Sequence, residues 1–148
     1  MGVREAESRD CFAVESLYRA LVPNSKNISV SGERLEQIKA DPNNYLFVYE
    51  EGELVQGTIF MTLCLDPMYE FRPYAVIENF IVEGNARGRG IGSQLLNHVT
   101  TVCVEKNCTK IMLLSSVSRV EAHEFFIKHG YNGNISRGFK KYIPIKDW

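Results

Sequence analysis

Residues 84–93 read GNARGRGIGS, with glycines at 88, 90 and 92 and arginines at 87 and 89. Ahead of this run lies YAVIENFIV, an apolar stretch of strand length. Behind it, IGSQLLNHVTTVCVEK sets Ile91, Leu95, Leu96, Val99, Val102 and Cys103 on one helical stripe. A strand, a glycine turn and a helix in that order predict an α/β unit. Glycine costs backbone entropy on folding, so a turn or a ligand must offset the run. At a strand-to-helix junction, backbone N–H groups without helical partners point outward at the positive end of the helix dipole. Glycines clear side chains from the approach, which suits phosphate or pyrophosphate, and Arg87 and Arg89 add fixed charge. The dinucleotide pattern GxGxxG is not met, because the spacing is GxGxG and position 93 is Ser. Nor is a P-loop, since the fifth residue after Gly84 is Arg89 and no Lys-Ser/Thr pair follows. The plain alternative is a turn with two exposed arginines.

The rest of the chain supplies layers for that unit. DCFAVESLYRALV has Phe12, Val14, Leu17, Tyr18, Leu21 and Val22 mostly at helical spacing and is stopped by Pro23. SGERLEQIKA predicts a second short helix, capped by Ser31 and ended before Pro42. NYLFVYEEGELVQGTIFMTLCL is two strand-like runs around Glu51-Gly52. YAVIENFIV is apolar on both faces apart from Glu78 and Asn79, which suits a sheet covered on both sides. KIMLLSS predicts another strand. SRVEAHEFFIKHG predicts a helix with Ala122, Phe125 and Phe126 inward and Gly130 as its C-cap. FKKYIPI predicts a closing strand, and VREAE a further one at the front.

A chain of 148 residues predicts one domain over 1–148, long enough to bury a sizeable core. The net charge of −1 gives no global pull toward nucleic acid, and no nucleic-acid partner is expected. Cys11, Cys64, Cys103 and Cys108 form no CxxC and no Cys/His set with zinc spacing. They predict free thiols in a reducing compartment and no bound metal. The start, MGVREAESRD, lacks the apolar core of a signal peptide. No apolar run approaches the roughly 18 residues that span a membrane. A cytoplasmic protein with no membrane partner is the expectation.

Arg87-Gly88-Arg89-Gly90-Ile91-Gly92 resembles the R/Q-x-x-G-x-G/A motif of the GNAT N-acetyltransferase superfamily, and AHEFFIKHGY resembles that family's A-x-x-F-Y-x-x-x-G-F segment. The resemblance is strong over 74–142 and in the first half agrees only in the order of elements. It implies an α/β fold with a mixed, partly parallel central sheet of about six to seven strands, splayed in the middle, with about four helices on both faces. It also implies acetyl-CoA as co-substrate. The pyrophosphate would rest on Arg87, Gly88, Arg89, Gly90, Ile91, Gly92 and Ser93, and the pantetheine would pair with backbone near Ile81, Val82 and Leu114. Phe126 would lie beside the cofactor. The implied reaction is direct transfer within a ternary complex, without an acyl-enzyme.

Acetyl transfer to an amine needs the neutral amine, and deprotonating an alkyl ammonium of pKa ~10.4 at neutral pH costs about 4.6 kcal/mol. A general base is therefore useful. Glu78 is the candidate, since desolvation in an apolar strand raises a carboxyl pKa toward working pH. The alternative is a structural carboxylate paired with an arginine such as Arg72. Many relatives carry a Tyr where this chain has Phe126, and a phenyl ring cannot donate a proton to the leaving thiolate. Tyr131, Ser116 and His123 are the substitutes nearby in sequence. His123 and His129 otherwise cover a helix face, and Cys103 reads as core.

The acceptor is expected to be a small-molecule amine or a protein amine. Its specificity is expected from the helices before residue 41 and from LDPMYEFRPY, where Asp66 and Glu70 would suit a cation and Arg72 a phosphosugar. Relatives are often dimers, so a homodimer is compatible with the resemblance. The rival reading is a CoA-binding regulatory module without catalysis, supported by Phe126. A pyridine-nucleotide binder is disfavoured by the glycine spacing.

Overall fold

The computed structural model describes residues 2–146. The chain divides into two compact units, Met1–Met112 and Leu113–Trp148. In the first, strands β1 (Gly2–Glu5), β2 (Asn44–Glu51), β3 (Leu54–Cys64) and β4 (Tyr74–Val82) form an antiparallel ladder in that order. Strand β5 (Ile111–Leu113) begins in this unit and joins the sheet beside β4. Its approach is fixed by Thr109 N–H donating to Pro73 C=O at 2.9 Å and Ala75 N–H to Lys110 C=O at 3.0 Å. The β4–β5 connection runs through a helix, as a parallel neighbour requires, so the sheet is mixed.

Helices α1 (Cys11–Leu21) and α2 (Gly32–Ala40) precede β2, and α3 (Ile91–Glu105) follows β4. Side-chain alternation in β2 explains why both of its faces are apolar. Leu46 and Val48 join Val14 of α1 and Leu35 of α2 in one buried cluster. On the opposite face, the Phe47 ring meets His98 of α3 edge-on at 4.6 Å. One face of the sheet is thus covered by α1 and α2 and the other by α3. Ser31 caps α2, its hydroxyl accepting from Arg34 N–H at 3.4 Å. The hairpin turn is Gly52-Glu53, one residue later than the sequence centred it. Both residues have positive φ, +55° and +67°, as a two-residue turn that follows the sheet twist demands.

In the second unit, α4 (Val120–Lys128) ends in the manner Gly130 predicts. Gly130, at φ +91°, donates to Ile127 C=O and Tyr131 N–H to Phe126 C=O, both at 3.0 Å. This is a Schellman closure, and the Phe126 and Tyr131 rings supply its apolar contact at 5.9 Å between centroids.

Among the described residues the sheet has five strands, which corrects the expected six to seven. The predicted closing strand FKKYIPI takes no strand pairing among the described residues, and Phe139, Tyr142 and Ile143 are exposed. Its aromatic and β-branched residues suit a strand, but composition alone supplies no partner. Pro144 cannot donate to a ladder, and the Lys140-Lys141 pair favours a solvated backbone.

Candidate active site

Strand β4 supplies the centre of the site. Its pairing with β3 is regular from Tyr74 to Glu78 and again at Ile81 and Val82, and it shifts between Thr58 and Phe60. Ile59 therefore lies opposite two residues, Asn79 and Phe80, which is a β-bulge. Asn79 sits there at φ +52°, a conformation that costs a non-glycine residue about 1–3 kcal/mol and gathers at functional sites. The bulge leaves Glu78 and Asn79 both exposed between buried Ile77 and Ile81. The Tyr18 side chain on α1 interacts with that of Asn79, and burial pushes its phenol up to about 12. Glu78 thus lacks the burial that the apolar strand predicted for it. Arg72 does not pair with it either, and donates instead to the Asn107 and Cys108 carbonyls at 3.0 and 3.4 Å.

The far end of β4 leads into the glycine run. Glu83 N–H still bonds Gln56 C=O at 2.8 Å, and the Glu83 carboxylate accepts from Asn85 N–H at 2.8 Å to cap a short turn over Gly84–Ala86. Arg87 turns back and donates to Val82 C=O at 3.1 Å. Gly88 and Gly90 both take φ +81°, and Gly90 is the N-cap of α3. A Cβ added at either glycine would meet nothing within 4 Å. The two glycines therefore answer a backbone need, and the space beside them is open. Gly90 has no side chain with which to cap the helix, so the first-turn amides of α3, at Ile91, Gly92 and Ser93, lie at the positive end of the helix beside that space. Ile81 and Ile91 are buried at 4% and 2% exposure, so what they can offer a ligand is backbone.

Helix α3 is held against the sheet by a close approach at Gly57. A Cβ there would lie 3.0 Å from Leu95 Cδ1 and 3.2 Å from Ile91 Cγ2. Beside this contact, Arg89 reaches the end of β2 and bonds Glu51 Oε2 at 2.8 Å. The other oxygen, Glu51 Oε1, accepts the Tyr49 hydroxyl at 3.0 Å. The Tyr49 hydroxyl also interacts with the Gln94 side chain of α3. The Glu51 carboxyl is held below its usual range by the Tyr49 hydroxyl first and by Arg89 next. The sequence reading missed Tyr49 and Glu51, which it used only as strand and turn signals. Arg89 lies 38 residues from Glu51, and no short motif encodes that pairing.

The other sequence candidates belong to other elements. Leu114 and Phe126 belong to the second unit, Leu114 exposed just beyond β5 and Phe126 in the closure of α4. In that unit His123 Nε2 bonds Ser116 C=O at 2.8 Å and His129 Nδ1 bonds Phe125 C=O at 2.9 Å. Cys103 is buried at 3.6 Å from the Met61 sulfur, and burial, then Cys108, pushes its thiol up to about 12. It is no nucleophile at neutral pH. An open cleft of ≈ 520 Å³ is lined by Met68, Tyr69, Glu70, Arg72, Thr109 and Lys110. It lies at the Tyr74 end of β4, about 27 Å of strand from Val82. Among the described residues no group of His, Cys, Asp or Glu could hold a metal ion. None of their helices is long and apolar enough to cross a membrane.

The GNAT acetyltransferase family model matches residues 11–131. The chain belongs to this family and is an acyltransferase. A candidate acetyltransferase from Agrobacterium tumefaciens strain C58 is 27% identical and superposes at a TM-score of 0.87 over 97% of this chain and 100% of that one. A transcriptional regulator from Bacillus halodurans C-125 is also 27% identical, at a TM-score of 0.85 over 95% and 98%. The glucosamine-6-phosphate N-acetyltransferase of Arabidopsis thaliana, 23% identical, shares the fold at 0.80 over 96% and 97%. No curated protein matches the sequence.

Proposed function

We propose that this protein transfers the acetyl group of acetyl-CoA directly to an amine of a small molecule or protein. The observation that carries the reading is the open space over Gly88 and Gly90 at the N-terminus of α3. Pyrophosphate fits there by charge and by hydrogen bonding, since backbone amides at a helix start are donors without helical acceptors. Arg87, Gly88, Arg89, Gly90, Ile91, Gly92 and Ser93 would hold it. Strand β5 has three residues against nine in β4, so it leaves part of that strand's edge to a ligand, and Ile81 and Val82 lie on that part. Leu114 and Phe126 are the second unit's proposed contacts with the cofactor.

Acetyl-CoA supplies an activated thioester, and the chain's own residues orient it and receive the proton. Glu78, exposed at the bulge beside Asn79, would accept the proton that the amine must lose, directly or through water. The proposed setting is one domain over 1–148 in the cytoplasm. The test is calorimetry with acetyl-CoA, followed by an amine panel read out as free CoA thiol. Binding at tens of micromolar or tighter and release of thiol with at least one amine are expected. Glu78→Gln should lower kcat by roughly 10²-fold or more near neutral pH with cofactor binding retained. Absence of acetyl-CoA binding would sink the reading. Binding without turnover across the panel would favour a regulatory CoA-binding module, the reading that Phe126 supports where relatives carry a Tyr.

A further inference from the structure

The arginine at the centre of the glycine run is already engaged. Arg89 stands between Gly88 and Gly90, the two residues at φ +81°, and its guanidinium is 2.8 Å from Glu51 Oε2. Both side chains are partly exposed, at 49% and 37%, and an exposed pair of this kind is worth only ~0–1 kcal/mol. Two features set it apart from an ordinary surface pair. The carboxylate is fixed from behind by the hydroxyl of Tyr49, which is 7% exposed. The arginine is fixed in turn by a turn whose dihedrals are dictated by its neighbours. The pair therefore sets a carboxylate against the side chain of the residue that stands between Gly88 and Gly90.

We infer that Glu51 sets the affinity of the glycine run for its anion, by holding Arg89 until a phosphate takes the guanidinium from it. The inference rests on the reading of this run as a pyrophosphate site. Arg89 faces Glu51; Tyr49 and Gln94 are neutral; Arg87 is turned back to the Val82 carbonyl. A phosphate that recruits Arg89 must break one charge-assisted bond to form another, and it must also approach the released carboxylate. The exchange moves no proton and breaks no covalent bond. The partner bond is weak and the like-charge repulsion acts in a solvated site, so removing the carboxylate's charge favours the anion.

Glu51→Gln is the direct test, since it keeps the shape and the acceptor for Tyr49 while removing the charge. Calorimetry at low ionic strength, with acetyl-CoA in one arm and inorganic pyrophosphate in the other, should show binding tightened by about three- to tenfold. The gain should shrink at high salt, because the charges are solvated. Arg89→Ala should weaken binding, and Glu51→Gln in the Arg89→Ala background should gain less than it does alone, since the two side chains act as a pair. Unchanged or weaker binding in Glu51→Gln, or an equal gain with Arg89 absent, would overturn the inference. If acetyl-CoA fails to bind wild type while pyrophosphate binds and Glu51→Gln tightens it, the acetyl-CoA reading falls and the role of Glu51 stands. If neither ligand binds wild type, both fall.

Discussion

Asp10 is a carboxylate nearly sealed from solvent, its side chain 5% exposed, and Arg4 grips both of its oxygens at 2.8 and 2.9 Å. Burial pushes its pKa up, but Arg4, the Glu7 amide and the charge of Arg9 pull harder, so the net displacement is downward. A carboxylate whose folded pKa is depressed contributes stability above its unfolded value of ~3.9, and that contribution is lost as pH falls through the folded value. Asp10→Asn should therefore destabilise by about 2–3 kcal/mol at neutral pH, the worth of hydrogen bonds to charged groups. Its stability should also decline less than that of wild type below pH ~4. Urea denaturation across pH measures both. At this scale the sequence revealed residues whose reason is local. The spacing of the glycines pointed to the turn, and Ser31 announced its cap. It did not reveal the Arg4–Asp10 and Glu51–Arg89 pairs, because charged side chains carry no periodic signature of the partner they will meet.

The β2–β3 hairpin carries a correctable strain. Gly52 takes its positive φ freely, whereas Glu53 takes φ +67° against the preference of its side chain. Glu53→Asn should stabilise the fold by roughly 0.5–1 kcal/mol, because Asn tolerates this conformation better than Glu. Thermal unfolding should show a Tm rise of a few degrees, and a fall would mean that the Glu53 side chain supports the turn. Elements with a full amphipathic period, such as α1 and α3, were legible from sequence. The closing strand was not, since a stretch of strand-favouring residues becomes a strand only where an edge accepts it. Glu78 failed in a similar way. Its apolar neighbours predicted burial, and the bulge at Asn79, which no residue pattern announces, turned it outward.

Across the whole molecule, the order of elements as far as α4 and the family were readable because the glycine run, its strand and its helix lie within about thirty residues of sequence. What joins distant segments had to be seen, and Gly57 is the sharpest instance. Its missing side chain lets Ile91 and Leu95 sit directly on β3, with Leu95, Leu96 and Val99 at no more than 1% exposure. Helix α3 therefore cannot slide along the sheet without first lifting buried side chains out of contact. Amide protons in the middle of α3, from Leu95 to Cys103, should exchange with deuterium only through openings near the global unfolding free energy. Native-state exchange in dilute denaturant checks this, and fast exchange there would mean a loosely held helix. Ligand-binding loops are commonly drawn from the most readily opened parts of a protein. Here the glycine run leads straight into that helix, so an anion bound as proposed would meet amides whose spacing was set when the chain folded.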